Sequence, residues 1–350
     1  MKDNNLIKKE FEFIDKEEAF ASVLIISSKG SVPRTAGTKM LVKQDGSIIG
    51  TIGGGSVEAE AIKKAKEVFK TKNALIIDFN LTMSGIETID MICGGGIRVL
   101  ISLIEPNSIN KEIFGIATNL YKDRKQYLFL SDITDLKNIK RSIIFSENLF
   151  KGDASLSKAM IKDFWRLNLP CAKSVNLHNK TFLIEPCEPI YTLFMFGAGH
   201  VSMQLAKLSS MVGFYTVAID DREEFANKQR FETADELITV KDFKDSFDCL
   251  KIDKRSFIAI ITRGHLHDKT VLSKALKTNA SYIGMIGSKK KREAIYKGLI
   301  KEGFSEEKLR LVSSPIGIEI KANSPEEIAV SIAAELIKAR AGHKKNNRSF

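Results

Sequence analysis

Over the second half of the chain, short runs of apolar residues alternate with stretches of helical periodicity; the first half mixes strand-like runs with fewer helical ones. From Tyr191 to about Arg340 the alternation is that of parallel βαβ units, in which each buried strand feeds an amphipathic helix. Strands are expected at Thr192–Phe196, Tyr215–Asp220, Glu236–Val240, Phe257–Thr262 and Tyr282–Gly287. The last helix carries its own boundary signals: Ser324 to cap it, Pro325 for its first position, Glu326 and Glu327 to complement its dipole, and Gly342 after its end. This half reads as a Rossmann-like domain with a doubly wound parallel sheet.

In the first half, Ser22–Ile26, Lys39–Val42 and Ile97–Ile104 read as strands and Val57–Phe69 as a strong helix, with Asp45-Gly46 turning a hairpin. Between Pro106 and Glu188 the pattern weakens. Helices are expected near Asn110–Lys122 and Leu156–Leu167, but no fold follows for residues 106–185. Pro186 and Pro189, set among charges, interrupt regular structure. The fold class is therefore α/β, with a mixed α/β amino-terminal domain over 1–187, the Rossmann-like domain over 188–343 and a basic tail over 344–350.

Composition narrows the class. The chain has 350 residues, 43% hydrophobic and 28% charged, which suits two folded domains and argues against disorder. No run is long enough to span a bilayer, the first residues lack the apolar core of a signal peptide, and a membrane role is not expected. Cys93, Cys171, Cys187 and Cys249 have neither CxxC spacing nor the density of a disulfide framework, so the expected location is cytoplasmic. The net charge of +11 is spread along helix faces and into the tail, so nucleic acid is not an expected partner. Such a surface steers an anionic small molecule or an acidic protein.

Phe196-Gly197-Ala198-Gly199-His200-Val201-Ser202 joins an apolar strand to a helix, as the phosphate-binding turn of a Rossmann unit does, with Ser202 in place of the third glycine. Asp220 ends the next strand, where a carboxylate conventionally bonds ribose. Arg263-Gly264-His265-Leu266-His267-Asp268 and Gly287-Ser288 follow two further strands and give the sheet a polar rim. His265 and His267, with Asp268 or His200, are metal-ligand types, but hydrogen-bonded loop imidazoles are commoner and no metal site is assigned. Lys289 to Arg292 place cations in the first turn of a helix, where they oppose its dipole unless an anion binds or solvent screens them.

In the first half, Gly50-Thr51-Ile52-Gly53-Gly54-Gly55-Ser56 precedes a helix, and its backbone amides, with Ser56 as a cap, suit an anion-binding nest. Glu58 either complements the helix dipole or accepts paired donors from the edge of a heterocycle such as a pterin. Arg34, in a proline-stiffened turn, is either a phosphate clamp or a solvated arginine. Cys93, followed by Gly94 and Gly95, is either a thiolate stabilised by nearby amides or a buried inert cysteine.

Taken together, GSVPRTAGTKMLV, GTIGGGSVEAEAI, MICGGG, FGAGHVSMQLAKL, IDDREEFA, YIGMIGSKKKR and SPIGIEIKANSPEEIAVSIAAEL resemble the XdhC/CoxI family in order and spacing. The resemblance implies an accessory factor that binds molybdenum cofactor (molybdopterin) and delivers it, sulfurated, to a molybdenum hydroxylase such as xanthine dehydrogenase. Such a factor is an insertion chaperone more than an enzyme, and some relatives also engage a cysteine desulfurase. On that resemblance Arg34, Gly53, Gly54, Gly55, Ser56 and Glu58 would hold the phosphate or pterin. Cys93, Gly94 and Gly95 would lie near molybdenum or the transferred sulfur. Gly197, Gly199, His200, Asp220, Arg263, Gly287 and Ser288 would hold a nucleotide, NAD(P) included, or the dithiolene-bearing moiety. The family pattern carries a cysteine where Ser56 stands, so Cys93 remains as the thiol contact the resemblance supplies. Monomer and homo-oligomer both stay open. The alternative function is an NAD(P)-dependent oxidoreductase, with His265 or His267 as acid or base.

Overall fold

The computed structural model describes residues 4–80, 95–167, 169, 171–188 and 190–346, and the chain divides into two units, Met1–Pro189 and Ile190–Phe350. In the first unit, helix α1 (Asn4–Asp15) leads into strands β1 (Phe20–Lys29), β2 (Lys39–Val42) and β3 (Ile48–Gly50). Helix α2 (Gly55–Thr71) follows, then β4 (Leu75–Asn80) and β5 (Gly96–Ile104). These strands form an antiparallel sheet in the order β3-β2-β1-β5-β4, with the Asp45-Gly46 hairpin pairing Val42 with Ile48.

The region from which the sequence yields no fold builds a second sheet. After α3 (Ser108–Lys122) come β6 (Tyr127–Asp132), β7 (Lys140–Ser146), β8 (Leu149–Gly152), α4 (Lys158–Arg166), β9 (Lys173–Leu177) and β10 (Lys180–Cys187). The antiparallel order is β8-β7-β6-β10-β9. Four layers result. On β1, Ala21, Val23 and Ile25 pack against Val57, Ala61, Ala65 and Val68 of α2, while Leu24 and Ile26 meet Leu183 of the second sheet. Leu128, Leu130, Phe182 and Ile184 turn the second sheet's other face to Ile161 and Phe164 of α4. Strands covered on both faces lose the alternation of apolar and polar residues that marks a half-buried sheet.

The second unit contains β11 (Thr192–Phe196), α5 (His200–Met211), β12 (Tyr215–Asp220), β13 (Glu236–Thr239), β14 (Ser256–Ile260), α6 (His265–Ala275), β15 (Tyr282–Met285), α7 (Lys289–Lys301), α8 (Glu306–Arg310) and α9 (Pro325–Asn346). Its sheet is wholly parallel, ordered β13-β12-β11-β14-β15, so the switch in winding direction lies between β11 and β14. Leu205 and Ala206 of α5 share a core with Ala329, Ile332, Ala333 and Leu336 of α9. The expected cap of α9 is present: Ser324 Oγ accepts from Glu327 N (3.2 Å), and Glu327 Oε2 accepts from Ser324 N (3.2 Å). The expected stop at Gly342 is not; the helix runs through it to Asn346, taking in the start of the basic tail. One glycine costs about 1 kcal/mol in a helix, which a long helix absorbs.

Candidate functional site

The glycine-rich turn before α2 takes the conformation its composition demands. Gly53, Gly54 and Gly55 have φ of 133°, 78° and 61°, a region side chains rarely enter. The amides of this turn, however, do not form the open nest expected of them. Glu58 Oε2 accepts from Thr51 Oγ1 (2.6 Å), Ile52 N (3.2 Å) and Gly54 N (3.3 Å), and Thr51 Oγ1 accepts from Gly53 N (3.1 Å). The protein's own carboxylate thus occupies the donors that the sequence reading gave to a phosphate. Ser56 is not the cap either: Gly54 holds that position without a side-chain bond, and Ser56 lies exposed in the first turn. With glycine at the cap position, no cap side chain covers the start of α2, where the positive end of its dipole lies.

Two other motifs meet this turn within the same unit. A methyl group added at Gly53 would lie 3.3 Å from Pro33 Cγ and 3.7 Å from Arg34 Cγ, whereas one at Gly54 would meet nothing within 4 Å. A methyl at Gly95, which is buried, would overlap the carbonyl oxygens of Lys29 and Ser31, so the second glycine cluster also lies against the Arg34 loop. Cys93 and Gly94 lie outside the described residues.

Beside the turn opens a cavity of about 300 Å³ lined by Leu6, Ile7 and Glu10 of α1, residues 33–35 and 37–39, Gly50 and Thr51. That volume is at the lower end for a small-molecule site. Arg34 reaches it from an exposed position and has no hydrogen bond or ion pair among the described residues. Lys39 is held differently: its Nζ lies 2.9 Å from Glu10 Oε1 and 2.7 Å from Glu185 Oε2, with all three side chains buried. Burial alone would lower the Lys39 pKa, but the two carboxylates outweigh it and raise the pKa above the ordinary lysine value. Glu10 and Lys39 also wall a smaller inner cavity of about 40 Å³, with Ser22, Ser102, Ser131, Arg141 and Glu185 on its other sides. The sequence reading missed this buried charge cluster; its trace is a lysine opening the otherwise apolar strand KMLV.

In the second unit, Gly197 (φ 104°) sits where β11 ends, and a methyl there would overlap the Ile261 carbonyl oxygen and lie 2.9 Å from Thr262 Cα of the adjoining chain. Gly197→Ala is accordingly expected to lose on the order of 3 kcal/mol, from strain plus overpacking. Accelerated amide exchange across β11 and β14, with the first unit unaffected, is the check. Gly199 is the cap residue of α5, without a side-chain bond, and His200 is exposed at its first position. Ser202 is fully buried, which fits close packing at the third position of the motif.

Asp220 differs from the expected ribose acceptor. It is 1% exposed; its Oδ2 accepts from Ala198 N (2.7 Å) and Arg222 Nη2 (3.1 Å), and its Oδ1 from Arg222 N (3.1 Å) and Nε (2.8 Å). Burial pushes the Asp220 pKa up, but the bonds from Arg222 and Ala198 outweigh that and hold it below the usual range. Arg263 pairs with Asp221 (2.8 Å). Ser288 caps α7, accepting from Lys291 N (3.2 Å), and Gly287 lies under the Lys291 stem. Lys291 Nζ pairs with the buried carboxylate of Asp268, which also accepts from Thr262 Oγ1 (2.5 Å), and Arg292 donates to the Ser314 carbonyl (2.8 Å). Of the cationic run at the start of α7, Lys289 and Lys290 stay exposed while Lys291 and Arg292 serve the fold. His267 packs edge-on against Phe243, and no cluster of three or more metal-ligating side chains occurs among the described residues.

A Rossmann-like parallel unit after a mixed α/β unit, with glycine turns before α2 and α5, defines the class to which the comparisons point. Residues 193–336 match the XdhC Rossmann domain, and residues 13–80 match the XdhC and CoxI family. The chain belongs to the XdhC and CoxI family, which is associated with molybdenum-cofactor maturation. It is 27% identical to a probable xanthine dehydrogenase subunit of Bacillus subtilis (strain 168), over 93% of this chain and 94% of that protein. Similarity to the molybdenum cofactor insertion chaperone PaoD of Escherichia coli (strain K12) is 21%, over 93% and 85%. Against YqeB of the same strain identity is 23% over 92% of this chain, which spans only 43% of that relative's length. Among solved structures, a Bacillus halodurans xanthine dehydrogenase aligns with a TM-score of 0.78 and 25% identity, over 98% of this chain and 96% of that one.

Proposed function

We propose that this protein binds molybdenum cofactor and delivers it, in sulfurated form, to a molybdenum hydroxylase of the xanthine dehydrogenase type. What supports the reading is the meeting, within the first unit, of the Arg34 loop, the Gly53–Gly55 turn and Gly95 beside a cavity of about 300 Å³. Similarity over most of the chain to a cofactor insertion chaperone adds to it. The residues present suit a phosphorylated pterin: Arg34 offers a guanidinium with no hydrogen bond or ion pair among the described residues, and the positive end of the α2 dipole lies beside Gly54, where a side chain would meet open space. Glu58 uses Oε2 on the turn, and Oε1 is the proposed acceptor for the N–H edge of the heterocycle. Cys93 is the proposed thiol contact for molybdenum or sulfur, and a cysteine desulfurase is a second proposed partner. The chemistry of hydroxylation stays with the client; this chain binds, orients and releases.

The test is direct binding of molybdopterin to the purified protein, read by pterin fluorescence. Arg34→Ala is expected to weaken it roughly tenfold, the loss of one charge-assisted phosphate contact, with the far-UV spectrum unchanged. Co-expression with a candidate apo-hydroxylase should raise the client's molybdenum content, and Cys93→Ala should lower that gain. Stoichiometric NAD binding with hydride transfer, and no pterin affinity, would instead favour the oxidoreductase.

A further inference from the structure

Arginines at the carboxyl edge of the parallel sheet play no part in molybdopterin binding as proposed. Arg222 grips Asp220 through Nε and Nη2 (2.8 and 3.1 Å). Arg230 Nη2 lies 3.4 Å from the Ala198 carbonyl oxygen, in the middle of the glycine turn, while its Nε is buried without a hydrogen-bond partner among the described residues. Both guanidinium groups rest on Phe225, with their central carbons 3.6 and 4.8 Å from the ring centroid. Arg263 adds a third cation through its pair with Asp221.

In a Rossmann unit, the group at the end of the second strand decides which ribose is accepted. A free carboxylate there bonds the hydroxyls, whereas arginines accommodate a 2′-phosphate. Asp220 holds that position, but it is buried and both its oxygens are taken. A ribose hydroxyl would have to displace a buried, two-pronged ion pair, which one neutral hydrogen bond does not offset. Arg222 pairs with Asp220 and Asp221 and Arg263 with Asp221, while Arg230 forms no ion pair among the described residues and bonds the Ala198 carbonyl. Glu224, also within electrostatic reach of Arg222, is exposed and screened by solvent. Phe225 stiffens two guanidinium planes beside the turn, and Gly199 leaves open space over the uncapped start of α5.

We propose that the Rossmann-like unit binds a nucleotide whose ribose carries a 2′-phosphate, held by Arg222 and Arg230, with the 5′-phosphate at the start of α5, and that it discriminates against the unphosphorylated ribose. The site lies wholly in the second unit and does not rest on the molybdopterin reading; pterin binding and nucleotide binding are measured separately, so either can fail alone.

The experiment is calorimetric titration of the full chain with 2′,5′-ADP and with 5′-AMP at low salt. The expected result is at least about tenfold tighter binding of 2′,5′-ADP, with the preference shrinking as ionic strength rises. Arg230→Gln should reduce the preference to about threefold or less while 5′-AMP affinity stays within about twofold of wild type. Equal affinity for the two nucleotides, or no binding of either at about 1 mM, overturns the proposal whatever the variant does.

Discussion

Lys39→Met is expected to destabilise the first unit by about 3–5 kcal/mol, because it leaves Glu10 and Glu185 buried without their shared cation. Methionine fills nearly the same volume, so the loss is electrostatic and not a cavity effect. The Lys39 pKa is raised, so its contribution is fully present below the ordinary lysine value of about 10.4 and is lost only as pH rises through the still higher folded value; near neutrality the variant shows the whole penalty. The single tryptophan, Trp165, lies in α4, so its fluorescence during urea unfolding reports this unit. Adding Glu10→Gln to Lys39→Met should recover much of the loss, since Glu185 then keeps the buried Arg141 as a counter-charge while Glu10 no longer carries an unpaired one. A variant as stable as wild type, or no recovery, would remove the cluster from the account of this core.

Asp220→Ala is the second large effect, also about 3–5 kcal/mol, here in the second unit. It strands the Arg222 guanidinium and removes the acceptor for Ala198 N in the glycine turn. The pH dependence follows from the lowered Asp220 pKa. A depressed carboxylate contributes stability that is present above its unfolded value of about 3.9 and is lost as pH falls through the folded value. The gap between wild type and Asp220→Asn should therefore be flat above about pH 5 and close as the solution is acidified below about pH 4. Amide exchange in β11 and α5 is the appropriate probe, because Trp165 lies in the other unit. A gap that persists unchanged at low pH would show that the carboxylate's charge is not what holds the turn.

The parallel sheet was legible because its strands are continuous apolar runs bounded by glycine and charge. Thr192–Phe196 and Tyr215–Asp220 match residue for residue, and the other expected strands differ by one or two residues at their ends. The second antiparallel sheet was not legible. Tyr127 and Leu128 on β6, like Phe182 and Leu183 on β10, are buried on opposite faces, so no alternation marks them. Helix α1 was hidden by its charges: Leu6, Ile7, Phe13 and Ile14 are its buried apolar residues, Glu10 is buried among them, and other lysines and glutamates fill the intervals.

At the candidate sites, sequence located the turns but not what their side chains grip. Glycine clusters correctly marked backbone with positive φ at Gly53 and Gly197. That Glu58 folds back onto Thr51 and Gly54 depends on tertiary geometry, since a first-turn glutamate usually serves its helix through the dipole alone. The Asp220–Arg222 pair could have been suspected from IDDR, where an arginine two residues beyond an acid at a strand end can close back onto it.

The fold-back of Glu58 makes the first glycine turn directional. The Glu58 carboxylate is bonded to the turn's amides, and the Arg34 stem lies against Gly53 of that same turn, so a molecule with a proton-donating rim and an anionic tail would find attraction in one orientation and repulsion when reversed. Cargo entering there would be presented the same way round at every encounter, which the proposed delivery to a client would require before any handover begins.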